Sequence, residues 1–115
     1  MAIDKTLLAG STATLILKLL ENKDMYGYQI IEELAIRSDD TFEHKAGTLY
    51  PLLHGLEKKG LLESYEENAD SARIRKYYHL TGKGRKYLKE KTEEWNTYSS
   101  AVNKVLGGGL ACECF

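Results

Sequence analysis

Pro51 stands inside a stretch that otherwise reads as helix, and this one residue fixes where that helix can begin. Proline has no backbone N–H and a locked φ, so a helix accepts it best in its first turn. Leu49, Leu52, Leu53 and Leu56 recur at three- and four-residue intervals and share one buried stripe. The helix therefore starts near Ala46 or Gly47. It is expected to end at Lys58-Lys59, whose charges suit a C-terminal dipole, with Gly60 as a left-handed stop. Thr48, Tyr50, Pro51, His54 and Lys58 are left on the outward face. Tyrosine and proline solubilise poorly, so this face is expected to be a contact surface.

A hairpin follows. Leu61 to Glu67 carries a β-type apolar run, Asn68-Ala69-Asp70-Ser71 is turn chemistry, and Arg73 to Leu80 returns with Ile74, Tyr77, Tyr78 and Leu80. One ring of the Tyr77-Tyr78 pair is expected in the core, and the other as core or surface cover in preference to a place near DNA. The returning strand is basic at Arg73, Arg75 and Lys76. A helix with a contact face, and beside it a hairpin whose returning strand is basic and whose tip is mixed in charge, define a winged helix-turn-helix. In that arrangement the helix enters the major groove of double-stranded DNA and the wing touches the phosphate rail. His54 then faces the groove, as a donor to phosphate or base or as an ordinary solvated histidine.

Size and composition narrow the alternatives. At 115 residues the chain is expected to be one domain that folds without disulfides. No apolar run approaches the roughly 20 residues that span a bilayer, and the start lacks a signal-peptide design, so a cytoplasmic location away from membranes is expected. A formal net charge of −1 excludes a general polyanion binder. The distribution is uneven, however. Arg73, Arg75, Lys76, Lys83, Arg85, Lys86, Lys89 and Lys91 face a single acid, Glu90, within their span. No carboxylate pair lies beside a nucleophile or a Gly-rich cradle, and no serine sits in a nucleophile elbow, so the chain is not read as an enzyme. His44, His54 and His79 lack metal-ligand spacing, and no cofactor is expected. Cys112 and Cys114 follow a triple glycine and read as inert thiols rather than a redox or metal pair.

Before the contact helix, a first helix is expected from about Asp4 to Glu21, with Leu8, Leu15, Ile16, Leu19 and Leu20 inward. A second runs from about Tyr26 to Arg37, capped by Asp24 and burying Tyr28, Ile31, Leu34 and Ala35. Phe42 is expected to anchor the next loop in the core. From Thr81 the pattern is helical for roughly 25 residues, longer than a small three-helix core covers. Leu88, Trp95, Tyr98, Val102 and Val105 form a seam along it, which implies a homodimer. Two contact helices about 34 Å apart would then read an inverted repeat. The fold class is mainly α with a small β-hairpin: a winged core over 1–80, a dimerisation helix over 81–106 and a tail over 107–115.

The chain resembles the PadR family of bacterial transcriptional regulators, in its short form with a single C-terminal helix. Four segments carry the resemblance: Tyr26-Gly27-Tyr28-Gln29-Ile30, Gly47-Thr48-Leu49-Tyr50-Pro51-Leu52-Leu53, Leu56-Glu57-Lys58-Lys59-Gly60-Leu61-Leu62, and Arg75-Lys76-Tyr77-Tyr78-His79-Leu80-Thr81-Gly82-Lys83-Gly84. The resemblance implies a dimeric repressor of its own or a neighbouring transporter or detoxification operon, released by a small molecule. It places Tyr26, Thr48, Tyr50 and Pro51 at the DNA, with Arg75 and Lys76 on the wing side. The DNA-binding set is thus Tyr26, Lys45, Thr48, Tyr50, Pro51, His54, Arg73, Arg75 and Lys76. Gly55 stands where family members usually carry Arg, and Lys45-Ala46 replaces their usual polar cap. In multidrug-responsive members a tryptophan matching Trp95 sandwiches planar aromatic ligands between subunits, with Tyr98, Val102 and Leu8 as the corresponding walls here. The alternative for Trp95 is an ordinary dimer-core aromatic. The alternative for the whole chain is a winged-helix protein-interaction module that no longer reads DNA.

Overall fold

The computed structural model describes residues 5–70 and 73–107, with backbone alone at 5–10, 69 and 70. In chain order the elements are α1 (Lys5–Leu19), β1 (Met25–Tyr26), α2 (Gly27–Arg37), α3 (Ala46–Lys58), β2 (Leu62–Asp70), β3 (Arg73–Leu80) and α4 (Gly82–Val105). The three strands form one antiparallel sheet in the order β1-β3-β2. The winged architecture expected from the helix and hairpin is present, mainly α with a small sheet. The two-residue strand β1 is an addition, and β2 runs on to Asp70, through residues whose types read as turn. Asn68 and Asp70 are still paired, opposite Ile74 and Arg73, across an irregularity in register.

The core gathers Ile16, Leu17, Leu19 and Leu20 of α1 and its exit, Met25, Ile30 and Leu34, the α3 stripe Leu49, Leu53 and Leu56, and Leu61, Leu62, Tyr78, Leu80 and Leu88. Leu52 is half-buried and packs against this cluster. Leu17 was not expected inside. The end of α1 packs against both α2 and α4, so apolar residues on several of its faces are covered.

The α2 reading needs two corrections. Its buried stripe is Gly27, Ile30 and Leu34, and Tyr28 is exposed. Successive helical residues differ by about 100°, which turns Tyr28 off a stripe centred one residue earlier. Asp24 does not cap α2, because β1 intervenes. Tyr26 holds the N-cap position, and Gln29 Oε1 accepts from its amide at 3.2 Å. Phe42 is only half-buried and lies outside the core cluster; Ser38 anchors its loop instead, accepting from the Phe42 amide at 2.9 Å.

Helix α3 begins at Ala46, the expected start, but Pro51 is its sixth residue and lies in the second turn, so the first-turn preference of proline that led to that start does not hold here. The amide that would have bonded the Gly47 carbonyl is missing, and Gly47 is exposed, so water can serve that oxygen. Gly60 follows with φ +79°, the left-handed stop. Thr81 joins wing to α4: its hydroxyl donates to the Gly60 carbonyl at 2.7 Å and accepts from the Gly84 amide at 2.9 Å. Leu88 on α4 belongs to the core rather than to the outer seam, which begins at Trp95. Trp95, Tyr98, Val105 and Leu106 are exposed, and Val102 is half-buried. The molecule measures 64 × 31 × 22 Å.

Candidate nucleic-acid interface

The outer face of α3 carries most of the expected contact residues together. Thr48, Pro51 and His54 are exposed along it, and Lys45 is exposed at its N-cap. Pro51, His54, Gly55, Glu57 and Lys58 line a shallow depression. Tyr50 is placed differently. It is 38% exposed, and its ring leans back onto Gly27 at the start of α2. The two helices of the helix-turn-helix meet there.

Strand alternation separates the wing's basic residues. Lys76 lies on the same face as Leu80, Tyr78 and Ile74, turned toward α3. Its Nζ is 3.9 Å from Glu57 Oε1, and the Ser64 hydroxyl donates to Glu57 Oε2 at 2.6 Å. Arg75 lies on the opposite face, its guanidinium 4.3 Å above the Tyr26 ring. Arg73 is exposed nearer the tip. The basic strand also faces acids across the ladder: Glu66 opposes Lys76, Glu67 opposes Arg75 and Asp70 opposes Arg73. The wing is thus a mixed-charge ribbon rather than a basic one.

An aromatic row runs across the outer sheet face. Tyr26 meets Tyr77 edge-on at 5.5 Å, and Tyr77 stacks on Tyr65 at 5.7 Å with 12° between planes. One carboxylate closes the row. Asp24 accepts from the Tyr65 hydroxyl at 2.7 Å and from His79 Nδ1 at 2.9 Å, joining the loop before β1 to both long strands. Burial alone would raise the Asp24 pKa, but the hydrogen bonds from His79 and Tyr65 outweigh it and hold the carboxyl below its ordinary value. The Tyr65 phenol is pushed up to about 12, chiefly by its bond to Asp24. Sequence reasoning missed this network. Period-two spacing puts Tyr65, Tyr77 and His79 on one face, but nothing local points to Asp24, which lies far away in the chain.

The remaining candidates separate from this surface. Trp95 and Tyr98 sit on α4 with ring centroids 6.2 Å apart. The Leu8 side chain, Cys112 and Cys114 lie outside the described residues. Among the described residues no group of three or more His, Cys, Asp or Glu is placed to hold a metal ion, and no helix is long and apolar enough to cross a membrane.

A recognition-type helix seated on a helix-turn-helix and flanked by a β-wing defines a winged-helix regulator with an added C-terminal helix. The model of the PadR-like family of transcriptional regulators matches residues 16–90. The chain belongs to that family. It is 36% identical over 87 residues to the transcriptional regulator Rv3488 of Mycobacterium tuberculosis, covering 76% of this chain and 75% of that one. A transcriptional regulator structure from Clostridium thermocellum superposes with a TM-score of 0.82 at 37% identity, covering 90% of this chain and 97% of the other. A PadR family regulator from Eggerthella lenta gives 0.78 at 35% identity, with 88% and 86% covered.

Proposed function

We propose that this chain is a homodimeric, ligand-responsive repressor that binds an inverted-repeat operator at its own or a neighbouring transporter or detoxification operon. Family membership carries DNA-binding regulation. The observation that carries the local reading is the exposed face of α3, with Thr48, Pro51 and His54 outward and Tyr50 at its edge. In this reading Tyr26, Lys45, Thr48, Tyr50, Pro51 and His54 meet the duplex, and Arg73 and Arg75 approach phosphates from the wing. Lys76, drawn toward Glu57, contributes by fixing the wing against α3 and reaches phosphate only by leaving that carboxylate.

The dimer reading rests on α4, where Trp95, Tyr98 and Val105 lie exposed on a helix of 24 residues and Leu106 is exposed at its C-cap. Pairing this helix with a second copy would cover them. Trp95 with Tyr98, Val102 and Leu8 then frames a site for a planar aromatic inducer, which would act by binding one dimer state better than the other. A repressor of this kind works in the cytoplasm and needs neither cofactor nor catalysis.

The acids opposite Arg73, Arg75 and Lys76 favour a second reading, a winged-helix module that docks on protein. Salt separates the two. Phosphate contacts release counterions, so DNA affinity falls steeply with ionic strength, whereas an apolar protein contact changes little. Binding of DNA from upstream of the chain's own gene, titrated at two salt concentrations against unrelated competitor, tests the proposal. Specific, salt-sensitive binding supports it. Loss of all binding to competitor, here and with duplexes selected from a random pool, refutes it.

A further inference from the structure

Gly27 is buried at the first position of α2, although glycine weakens helices by about 1 kcal/mol relative to alanine in their interiors. Its backbone gives no reason for the choice. The described glycines with positive φ are Gly60 and Gly107, so Gly27 has a conformation that alanine adopts freely. Space is the reason. A Cβ built on Gly27 finds its three nearest heavy atoms all in Tyr50: Oη first, then Cζ at 2.6 Å and Cε1 at 2.9 Å. The missing side chain is a socket, and a single ring fills it.

That ring belongs to the outward edge of α3, and it stays 38% exposed while seated. The Tyr78 ring of β3 is fully buried, by contrast, and its hydroxyl has no hydrogen-bond partner among the described residues. The socket therefore orients a partly exposed tyrosine without hiding it. We propose that Gly27 is a positioning residue for the recognition surface: by seating the Tyr50 ring it sets how α3 is presented against α2, and with it the direction of the Tyr50 hydroxyl. This deepens the DNA-reading proposal and rests on it for its functional consequence. Gly27 itself touches no DNA; it acts through Tyr50.

The test is a double-mutant cycle on the full chain, with Gly27→Ala, Tyr50→Ala and the double variant. The probe is a duplex selected from a random pool by the wild-type protein. Gly27→Ala should keep its helical circular dichroism and bind the duplex on the order of tenfold more weakly. Tyr50→Ala should weaken binding as well, and the double variant should be no weaker than Tyr50→Ala alone, since the added methyl then meets nothing. Tyr50→Phe should rescue Gly27→Ala only in part, because it removes Oη and leaves Cζ at 2.6 Å. Wild-type affinity in Gly27→Ala, or fully additive losses in the double variant, would overturn the proposal.

The same cycle read by thermal melting needs no DNA. A Gly27→Ala protein that fails to fold should be restored by Tyr50→Ala, and one left unfolded in the double variant refutes the socket. If the wild-type selects no duplex, DNA reading fails by itself while the melting cycle still decides whether Gly27 and Tyr50 are coupled. If Tyr50→Ala binds like wild-type while Gly27→Ala does not, the loss does not pass through Tyr50 and the positioning role falls.

Discussion

Asp24 shows how much one side chain can hold in place. It ties both long strands of the wing to the loop ahead of β1 through Tyr65 and His79. Asp24→Ala should cost about 1–3 kcal/mol near neutral pH, the usual range for lost bonds to a charged acceptor. The sign with pH follows from linkage. The folded carboxyl has a lowered pKa, so its contribution is present above the unfolded value and fades as pH falls through the folded one. The raised Tyr65 phenol acts oppositely: its contribution is present below the ordinary phenol value of 10.0 and is lost as pH rises through about 12. Denaturant melts of wild-type and Asp24→Ala should therefore differ most near neutrality and converge in acid. A constant gap down to strongly acidic pH would contradict this. Sequence could not reveal Asp24's role, because its partners are 41 and 55 residues away and only the sheet brings them together.

Elements were more legible than residues, because periodicity and stop signals are local. The stripe of α3, its start at Ala46, the Gly60 stop and the hairpin were all readable. Tyr28 was misread because a one-residue error in phase rotates a helix by about 100°. The bases of the returning strand and the acids between Glu63 and Asp70 are visible in the sequence, but which acid opposes which base, Glu66 for Lys76 and Glu67 for Arg75, is set by register. Helix α3 also keeps features that do not favour a helix. Nothing lies within 4 Å of a Cβ built on Gly55, so Gly55→Ala should stabilise the fold by about 1 kcal/mol. Pro51→Ala should also stabilise, by about 1–3 kcal/mol, as it restores a donor for the Gly47 carbonyl. Chemical denaturation measures both, and destabilisation by either would mean that the present α3 geometry depends on the residue removed. Pro51→Ala should weaken DNA binding even as it stabilises the fold.

At the scale of the molecule, a winged core carries a helix whose outer half is largely exposed among the described residues. Trp95 is 54% exposed and Tyr98 62%, and an aromatic side chain covers about 150–250 Å² when buried. The homodimer proposed for α4 should appear in sedimentation equilibrium, and Tyr98→Glu should shift it to monomer without unfolding the core. A wild-type monomer at high concentration would remove the basis for an inverted-repeat operator. Whether α3 and the wing read DNA is decided by titrating wild-type and Tyr50→Ala protein onto a selected duplex at several salt concentrations. Wild-type binding should be specific, with a log affinity that falls linearly with log salt. Tyr50→Ala should lose affinity for the selected duplex while its salt slope stays nearly unchanged, since a base-side contact carries little of the phosphate term. Salt-independent binding, or equal affinity of the two proteins for that duplex, would contradict it.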